Sequence, residues 1–432
     1  MPPRFEILVL SAFEGGIQPC TAVTAASALI EAGFEVSVAD TYLDPLPEER
    51  LLEADLVAIS LPLFDSLRSG ADLAKRVRQL NPRVHIAFFG TYAAINTPRL
   101  LECYGDSCIL GEWEEPLTAL ATRLSSNGSA PSQEALPGIA QAGTPPGASK
   151  PLPQVRNHRF RVPDRRLVPP PQRYPQAHVW KLCGGRPVVG STEVTRGCHH
   201  RCLYCSVVPV YDGRTLLVPE EVVISDVENL VAQGIGHLTF LDAEFLTARL
   251  HGVKVLRALH ERFPDLTYDF TTRVDHILEN QESIREMAGL GVRFITSALE
   301  FPSQKVLDAL KKGLLVEQIE AGIAVLRTSG IALNPTFILF NPWVTLEDIL
   351  AFDGFVDKNG LADVIDPVQY ETRLHIYKGS PLLQLDSVRS LALTEHEFHF
   401  EWKHPDPRVE ELYLEVLTPA EAGEFKRCCL KC

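Results

Sequence analysis

Thr195-Arg196-Gly197-Cys198-His199-His200-Arg201-Cys202-Leu203-Tyr204-Cys205-Ser206 is the stretch that decides how this chain is read. Three cysteines, spaced x3 then x2, follow a run from Ser191 to Thr195 whose apolar pattern predicts a strand. Three thiolates on one tight loop can hold three irons of a four-iron, four-sulfur cluster and leave the fourth iron without a protein ligand. An open iron is a place for something else to bind. A structural zinc site would need a fourth Cys or His nearby. His199 and His200 could serve in principle, but in this setting they read as residues that shape the loop surface.

The chain has 432 residues and a formal net charge of -14, with no basic run. That balance argues against nucleic acid as the natural partner, because phosphate binding wants a Lys/Arg face. A small-molecule substrate is expected instead. Residues Met1 to Phe5 lead straight into an apolar run of about six residues, too short for a signal-peptide core or a membrane span. The expectation is a cytoplasmic protein with no membrane partner. Ten cysteines do not make a disulfide framework here, since six of them fall in two tight clusters. Cys20, Cys103, Cys108 and Cys183 read as ordinary small residues.

Upstream of the cysteine loop, from Phe5 to about Leu124, short Val/Ile/Leu runs alternate with amphipathic stretches, the mark of a parallel sheet with helices on both faces. Strands are expected at Glu6 to Ser11, Glu35 to Asp40, Leu56 to Leu61 and Val84 to Gly90, with helices over Thr21 to Ala32 and Ala71 to Leu80. Gly33 and Asn81-Pro82 stop those helices. The fold expected for residues 1–125 is therefore a doubly wound α/β domain. Gly15-Gly16, after the first strand, could face a phosphate or serve only the geometry of the turn. Residues 126–175 are dense in Pro, Gly, Ser, Ala and Gln and read as a linker. Its first part is expected to have little order, and its later part, with Arg159, Arg161, Arg165 and Arg166, to pack along the next domain.

Downstream, strands are expected at Ser191 to Thr195, His237 to Leu241, Thr267 to Thr272, Arg293 to Leu299, Ile331 to Phe340 and, in part, Val364 to Tyr377. Helical patterns lie between them: Pro219 to Gln233, Leu246 to Phe263, Gln281 to Leu290, Val316 to Ser329 and Leu346 to Asp357. Six such units give a partial (β/α)6 barrel over residues 176–390. Ligands of parallel barrels gather at the carboxyl ends of the strands.

The cysteine spacing, with Tyr204 just before the last cysteine, resembles the radical S-adenosylmethionine (SAM) superfamily. The resemblance implies that Cys198, Cys202 and Cys205 hold a 4Fe-4S cluster and that SAM chelates its open iron through the methionine amine and carboxylate. It implies a reductant such as flavodoxin or ferredoxin. Glu244, in Asp242-Ala243-Glu244-Phe245, falls where relatives carry the Gly-Gly-Glu segment that binds the SAM amine, although Asp-Ala replaces Gly-Gly. Thr271-Thr272-Arg273 ends the third strand, and Ser297-Ala298-Leu299-Glu300, similar to a Gly-x-Glu-Ser region, ends the fourth. Arg273 and Glu300 could contact SAM's carboxylate and ribose, or could pair across the barrel mouth. Tyr204 is grouped with these SAM contacts. Asn341-Pro342 and Tyr377-Lys378-Gly379-Ser380-Pro381 are similar to the turns after the fifth and sixth strands. The N-terminal domain, by its place ahead of such a core, resembles a cobalamin-binding domain. It lacks the Asp-x-His-x-x-Gly loop of that family, its one histidine being His85 in a strand, so bound cobalamin is not expected.

Residues 391–432 read as an extension of helix and loop that covers the barrel opening and ends in Arg427-Cys428-Cys429-Leu430-Lys431-Cys432. Soft thiolates select thiophilic ions. Zinc or a second cluster would want a fourth ligand, a redox pair needs two, and trivalent arsenic is satisfied by three. Lys426, Arg427 and Lys431 would help keep neighbouring thiols deprotonated. The six-residue ending, together with the cluster motif, resembles the radical SAM enzymes of arsinothricin biosynthesis. That resemblance implies arsenite bound by Cys428, Cys429 and Cys432. It also implies transfer of the 3-amino-3-carboxypropyl group of SAM to arsenic, giving hydroxyarsinothricin and 5′-methylthioadenosine. A cobalamin-dependent radical SAM methylase and a non-catalytic thiol-tailed metal-binding protein are the other readings.

Overall fold

The computed structural model describes residues 5–126, 136–143, 158–175 and 177–417. The cysteines expected to hold arsenic, Cys428, Cys429 and Cys432, lie outside the described residues. The first sheet is built from β1 (Glu6–Ser11), β2 (Glu35–Asp40), β3 (Leu56–Ser60), β4 (His85–Phe89), β5 (Ser107–Ile109) and β6 (Ile139–Gln141). Its order is β2-β1-β3-β4-β5-β6, parallel throughout except for β6. β1 and β3 read as unbroken apolar runs because helices cover both faces, leaving Ile7 to Leu10 and Leu56 to Ile59 buried. This is the doubly wound domain the alternation implies. Its chain order reverses between β1 and β3, the crevice where such folds place ligands.

The linker departs from expectation in two ways. Part of it, β6, adds an antiparallel edge strand to the first sheet, a three-residue run too short for a periodic signal. Arg159 and Arg161 pair with Glu31, and Arg161 also with Glu115, so they pack on the first domain rather than the next. Arg165 is fully buried, with Nη2 2.7 Å from Asp226 Oδ2 and donating to the Ser191 carbonyl at 2.7 Å. An Arg can be buried this deeply because Asp226 neutralises it bidentately.

The second sheet holds β7 (Val189–Thr192), β10 (His237–Phe240), β11 (Thr267–Thr271), β12 (Val292–Glu300) and β13 (Ala332–Phe337), all parallel, in the order β13-β12-β11-β10-β7. Between β7 and β10 the chain makes an antiparallel hairpin, β8 (Thr195–Gly197) with β9 (Thr215–Leu217), and the cysteine loop is its insertion. The predicted first strand thus breaks at Glu193-Val194: its start enters the barrel and its end enters the hairpin. The sixth barrel position is reduced to a single parallel step between Phe340 and Arg373. There Phe340 N donates to Thr372 O at 3.0 Å and Leu374 N to Phe340 O at 2.7 Å.

Past that step one strand falls at the end of the expected Val364 to Tyr377 run, and two more form where helix and loop were expected. β14 (Ile376–Tyr377), β15 (Leu393–Glu395) and β16 (His399–Trp402) make a small antiparallel sheet in the order β14-β16-β15, followed by a helix, Pro407–Val416. The reason is packing: Phe398 joins the core of the first domain, Glu397 accepts from Arg99 and Tyr104, and the rings of His375 and His399 lie against Phe64. This sheet spans from the sixth barrel position to the first domain.

Candidate active site

Local chemistry holds the cysteine loop in place from several sides. Gly197 ends β8 at φ +86°, and a Cβ there would sit 2.4 Å from the Arg214 carbonyl, so only glycine lets the hairpin close. Asp242, just past β10, accepts from Val194 N at 3.1 Å and Thr195 Oγ1 at 2.6 Å, tying the next barrel strand to the hairpin. Leu203 N donates to Leu310 O, and Tyr377 O–H donates to Cys205 O at 3.1 Å. Among the described residues three non-glycine residues have positive φ: Asp212, Glu300 and Lys311. All border this loop. Asp212 pairs with Arg201 inside it, Glu300 accepts from Tyr204, and Lys311 precedes Lys312, which donates to Tyr204. Strain of this kind gathers where surrounding structure over-determines a site.

The three thiols suit iron. Burial pushes Cys198 up to about 12 and Cys205 up to about 11. After burial, Cys205 and Cys202 push the Cys198 thiol up further, and Cys202 does the same to Cys205. Without a cation such thiols keep their protons; a bound iron takes the place of those protons and turns burial into tight holding. Cys202 is buried, with Arg273 Nη1 3.6 Å from its sulfur.

The predicted SAM contacts gather at the carboxyl ends of β10, β11 and β12, but in two separate groups. Glu244 is buried and already engaged. It accepts from Thr272 O–H, from Arg273 N at 2.8 Å and from His276 Nδ1 at 3.1 Å. Arg273 pairs with Asp275 at 2.6 Å and does not reach Glu300. Glu300 accepts from Tyr204 O–H and pairs with Lys312 Nζ at 2.7 Å; Lys312 also donates to Tyr204 at 3.0 Å. The pairing of Arg273 with Glu300 across the mouth is therefore corrected, since each has a nearer partner of opposite charge. Burial disfavours the Lys312 charge, but Glu300 outweighs it and holds the ammonium above its usual range. Burial, and then Glu300, push the Tyr204 phenol well up.

Neither Lys312 nor His276 lies in a motif that marks it in the sequence. Lys312 follows an ordinary helix end, and only the turn at Lys311 aims it into the barrel. The sequence signals for Asn341 and Ser380 as turn devices hold: Asn341 Oδ1 accepts from Trp343 N, and Ser380 Oγ from Leu382 N.

The N-terminal domain meets the hairpin through buried charge. Arg196 Nη1 lies 2.7 Å from Glu112 and 2.8 Å from Glu114, Nε lies 2.8 Å from Glu193, and the guanidinium stands 4.3 Å over the Trp113 ring. Tyr211 donates to Glu112 at 2.7 Å. At the switch point, Glu14 accepts from the N–H groups of Thr21 and Ala22, at the N-terminus of helix Cys20–Glu31, and from Ser60 O–H. The place where such a fold would cradle a phosphate is taken by the protein's own carboxylate. His85 lies at the opposite, N-terminal end of β4, bonded to Ser107.

A parallel barrel with a three-cysteine loop after its first strand, and an acidic and basic lining at the strand ends, defines an iron-sulfur enzyme core. The radical SAM superfamily model matches residues 192–356, which take in the cysteine loop and strands β10 to β13; proteins of that superfamily use a 4Fe-4S cluster and SAM. The chain is similar to the hopanoid C-3 methylase of Methylococcus capsulatus, 23% identical over 335 residues, covering 76% of this chain and 62% of that protein. It is also similar to the anaerobic magnesium-protoporphyrin IX monomethyl ester cyclase of Rubrivivax gelatinosus, 23% identical, covering 71% and 55%. The chain thus spans about three fifths of the length of these relatives. In fold it is similar to the radical SAM methyltransferase TsrM of Kitasatospora setae, solved with tryptophan and a SAM analogue, with a TM-score of 0.72 and 19% identity over 90% of this chain and 77% of that one. The cobalamin-dependent radical SAM enzyme OxsB, solved with aqua-cobalamin and SAM, gives 0.72 and 15% over 95% and 66%. Among the described residues no helix is long and apolar enough to cross a membrane.

Proposed function

We propose that this protein is a radical SAM enzyme that transfers the 3-amino-3-carboxypropyl group of SAM to trivalent arsenic. In this reading Cys198, Cys202 and Cys205 hold the cluster, and Tyr204, Glu244, Arg273 and Glu300 line the SAM site. Cys428, Cys429 and Cys432 hold arsenite. The observation that carries the reading is the pair of cysteine clusters in one chain, one with a spacing that leaves an iron open and one with three thiols in five residues. A cluster held by Cys198, Cys202 and Cys205 would supply the chemistry of one-electron opening of a sulfur-carbon bond of SAM, the electron being given back once the carbon-arsenic bond has formed. The net reaction moves carbon as a formal cation onto the arsenic lone pair, so arsenic passes from trivalent to pentavalent, 5′-methylthioadenosine leaves, and no electron is consumed overall.

The chain's own residues have defined tasks in this scheme. Lys312 holds Glu300 and Tyr204 in one orientation beside the cysteine loop. Asp275 holds Arg273 so that one amino group of its guanidinium points to Cys202. Replacing Cys428, Cys429 and Cys432 together by Ser tests the scheme, because a hydroxyl is a poor ligand for a soft ion. Iron content and SAM binding should stay, and the amino-acid arsenical should disappear. A triple variant that still makes it at the normal rate sinks the delivery role.

A second reading, a cobalamin-dependent methylase, draws support from the fold neighbour solved with aqua-cobalamin. It has to place a corrin over strand ends where Glu14 fills the helix N-terminus and the hairpin packs directly on Glu112 and Glu114. The residues present do not fit that group. A corrin absorption band after reconstitution would favour this second reading.

A further inference from the structure

We infer that His199, His200 and His276 form a binding site for one first-row divalent cation, zinc being the representative, separate from the iron-sulfur cluster. One ring nitrogen from each lies within 4.8 Å of the other two. His200 Nε2 and His276 Nε2 approach to 3.1 Å, about the separation two imidazoles have on one tetrahedral ion with zinc-nitrogen bonds of about 2.0 to 2.1 Å.

The second observation is what stands behind each ring. His276 turns its Nδ1 to the buried Glu244 carboxylate at 3.1 Å. A carboxylate accepts only, so Nδ1 carries the proton and, in the neutral ring, the lone pair is on Nε2, aimed at His200. His199 Nδ1 lies 3.0 Å from Thr247 Oγ1, which leaves its other nitrogen for a ligand. A carboxylate behind a histidine is the usual support of a metal-bound imidazole, fixing tautomer and ring orientation. Glu244 has two further donors, Thr272 O–H and Arg273 N, so it is itself held rigidly.

The three rings come from two places: the cysteine loop supplies His199 and His200, and the helix Val274–Glu279 after β11 supplies His276. An ion there would tie the loop to the helix after β11, in addition to the hold that Glu112 and Glu114 of the N-terminal domain exert on Arg196. Three imidazoles leave a fourth tetrahedral position for water or an anion. Neutral nitrogen ligands with a carboxylate behind them suit zinc, cobalt or nickel and disfavour calcium or magnesium. The inference does not depend on the arsenic reading.

The test uses the full chain with its cluster reconstituted and with Cys428, Cys429 and Cys432 changed to Ser, so that tail thiols cannot take the probe. Zinc is added, excess is removed, and metal content and zinc X-ray absorption are measured. The expected result is about one zinc per chain with a nitrogen/oxygen shell and imidazole scattering. His276→Gln and His200→Asn should each lower zinc affinity at least tenfold with iron content unchanged, and Glu244→Gln should lower it about 10- to 100-fold. Absence of stoichiometric zinc, a sulfur shell, or full zinc retention in His276→Gln overturns the site. So does iron loss in both histidine variants, which would make these rings cluster ligands.

Discussion

Arg196→Met tests whether the N-terminal domain positions the cluster hairpin. The substitution keeps much of the apolar stem over Trp113 but removes the guanidinium from three carboxylates, at 2.7, 2.8 and 2.8 Å. Glu112 and Glu114 are then buried without the guanidinium, with only the His158 ring, 3.5 and 3.7 Å away, left as a possible cation. Removing one partner of a buried ion network costs about 3 to 5 kcal/mol, whereas replacing the whole network by neutral groups can be close to neutral. Arg196→Met alone should therefore lose about 3 to 5 kcal/mol in a urea titration followed by tryptophan fluorescence. Adding Glu112→Gln and Glu114→Gln should recover most of it. The sign with pH follows from Glu114, whose carboxyl burial already raises above its usual range. Without Arg196 that rise grows, the native state binds protons the unfolded state does not, and the variant should gain stability as pH falls from the raised native value toward the ordinary carboxyl value, with little change above the native value. A loss under about 1 kcal/mol, or no recovery in the triple variant, would refute the argument from unpaired charge.

Three further outcomes concern the switch point and the cysteine loop. Burial raises Glu14 from 4.5 to about 7, so it favours the protonated native state: its contribution to stability should fall as pH rises from about 4.5 to about 7 and stay flat above. The fall amounts to about 3 kcal/mol at most, and Glu14→Gln should remove this pH dependence in thermal melts across that range. Changing Cys198, Cys202 or Cys205 to Ala should abolish the brown chromophore and SAM cleavage, and Gly197→Ala should lower iron content by preventing hairpin closure; a fully active Cys variant would defeat the ligand assignment.

How much was legible in the sequence depends on how local the signal was. The two sheets could be read because their strands are buried on both faces and separated by amphipathic helices, as Ile7 to Leu10 and Leu56 to Ile59 show. The cysteine loop could be read because its chemistry is carried by spacing alone. Its supports could not. Arg196 reaches Glu112 and Glu114 across 84 and 82 residues, Arg165 reaches Asp226 across 61, and His200 meets His276 across 76. Glu244 was singled out from its place after the second strand, but its three partners come from the next strand and helix, which position alone does not reveal. Of the small sheet, β14 lies at the end of the expected Val364 to Tyr377 run, but β15 and β16 were missed because they are three and four residues long and owe their form to packing on the first domain.

Product analysis of SAM bears most directly on the proposed chemistry. The reduced, oxygen-free protein would be given SAM with and without arsenite, and the adenosine-containing products separated and identified. Transfer of the 3-amino-3-carboxypropyl group predicts 5′-methylthioadenosine together with an amino-acid arsenical in equal amounts when arsenite is present. 5′-Deoxyadenosine or S-adenosylhomocysteine as the main product, with no carbon-arsenic bond formed, would contradict it.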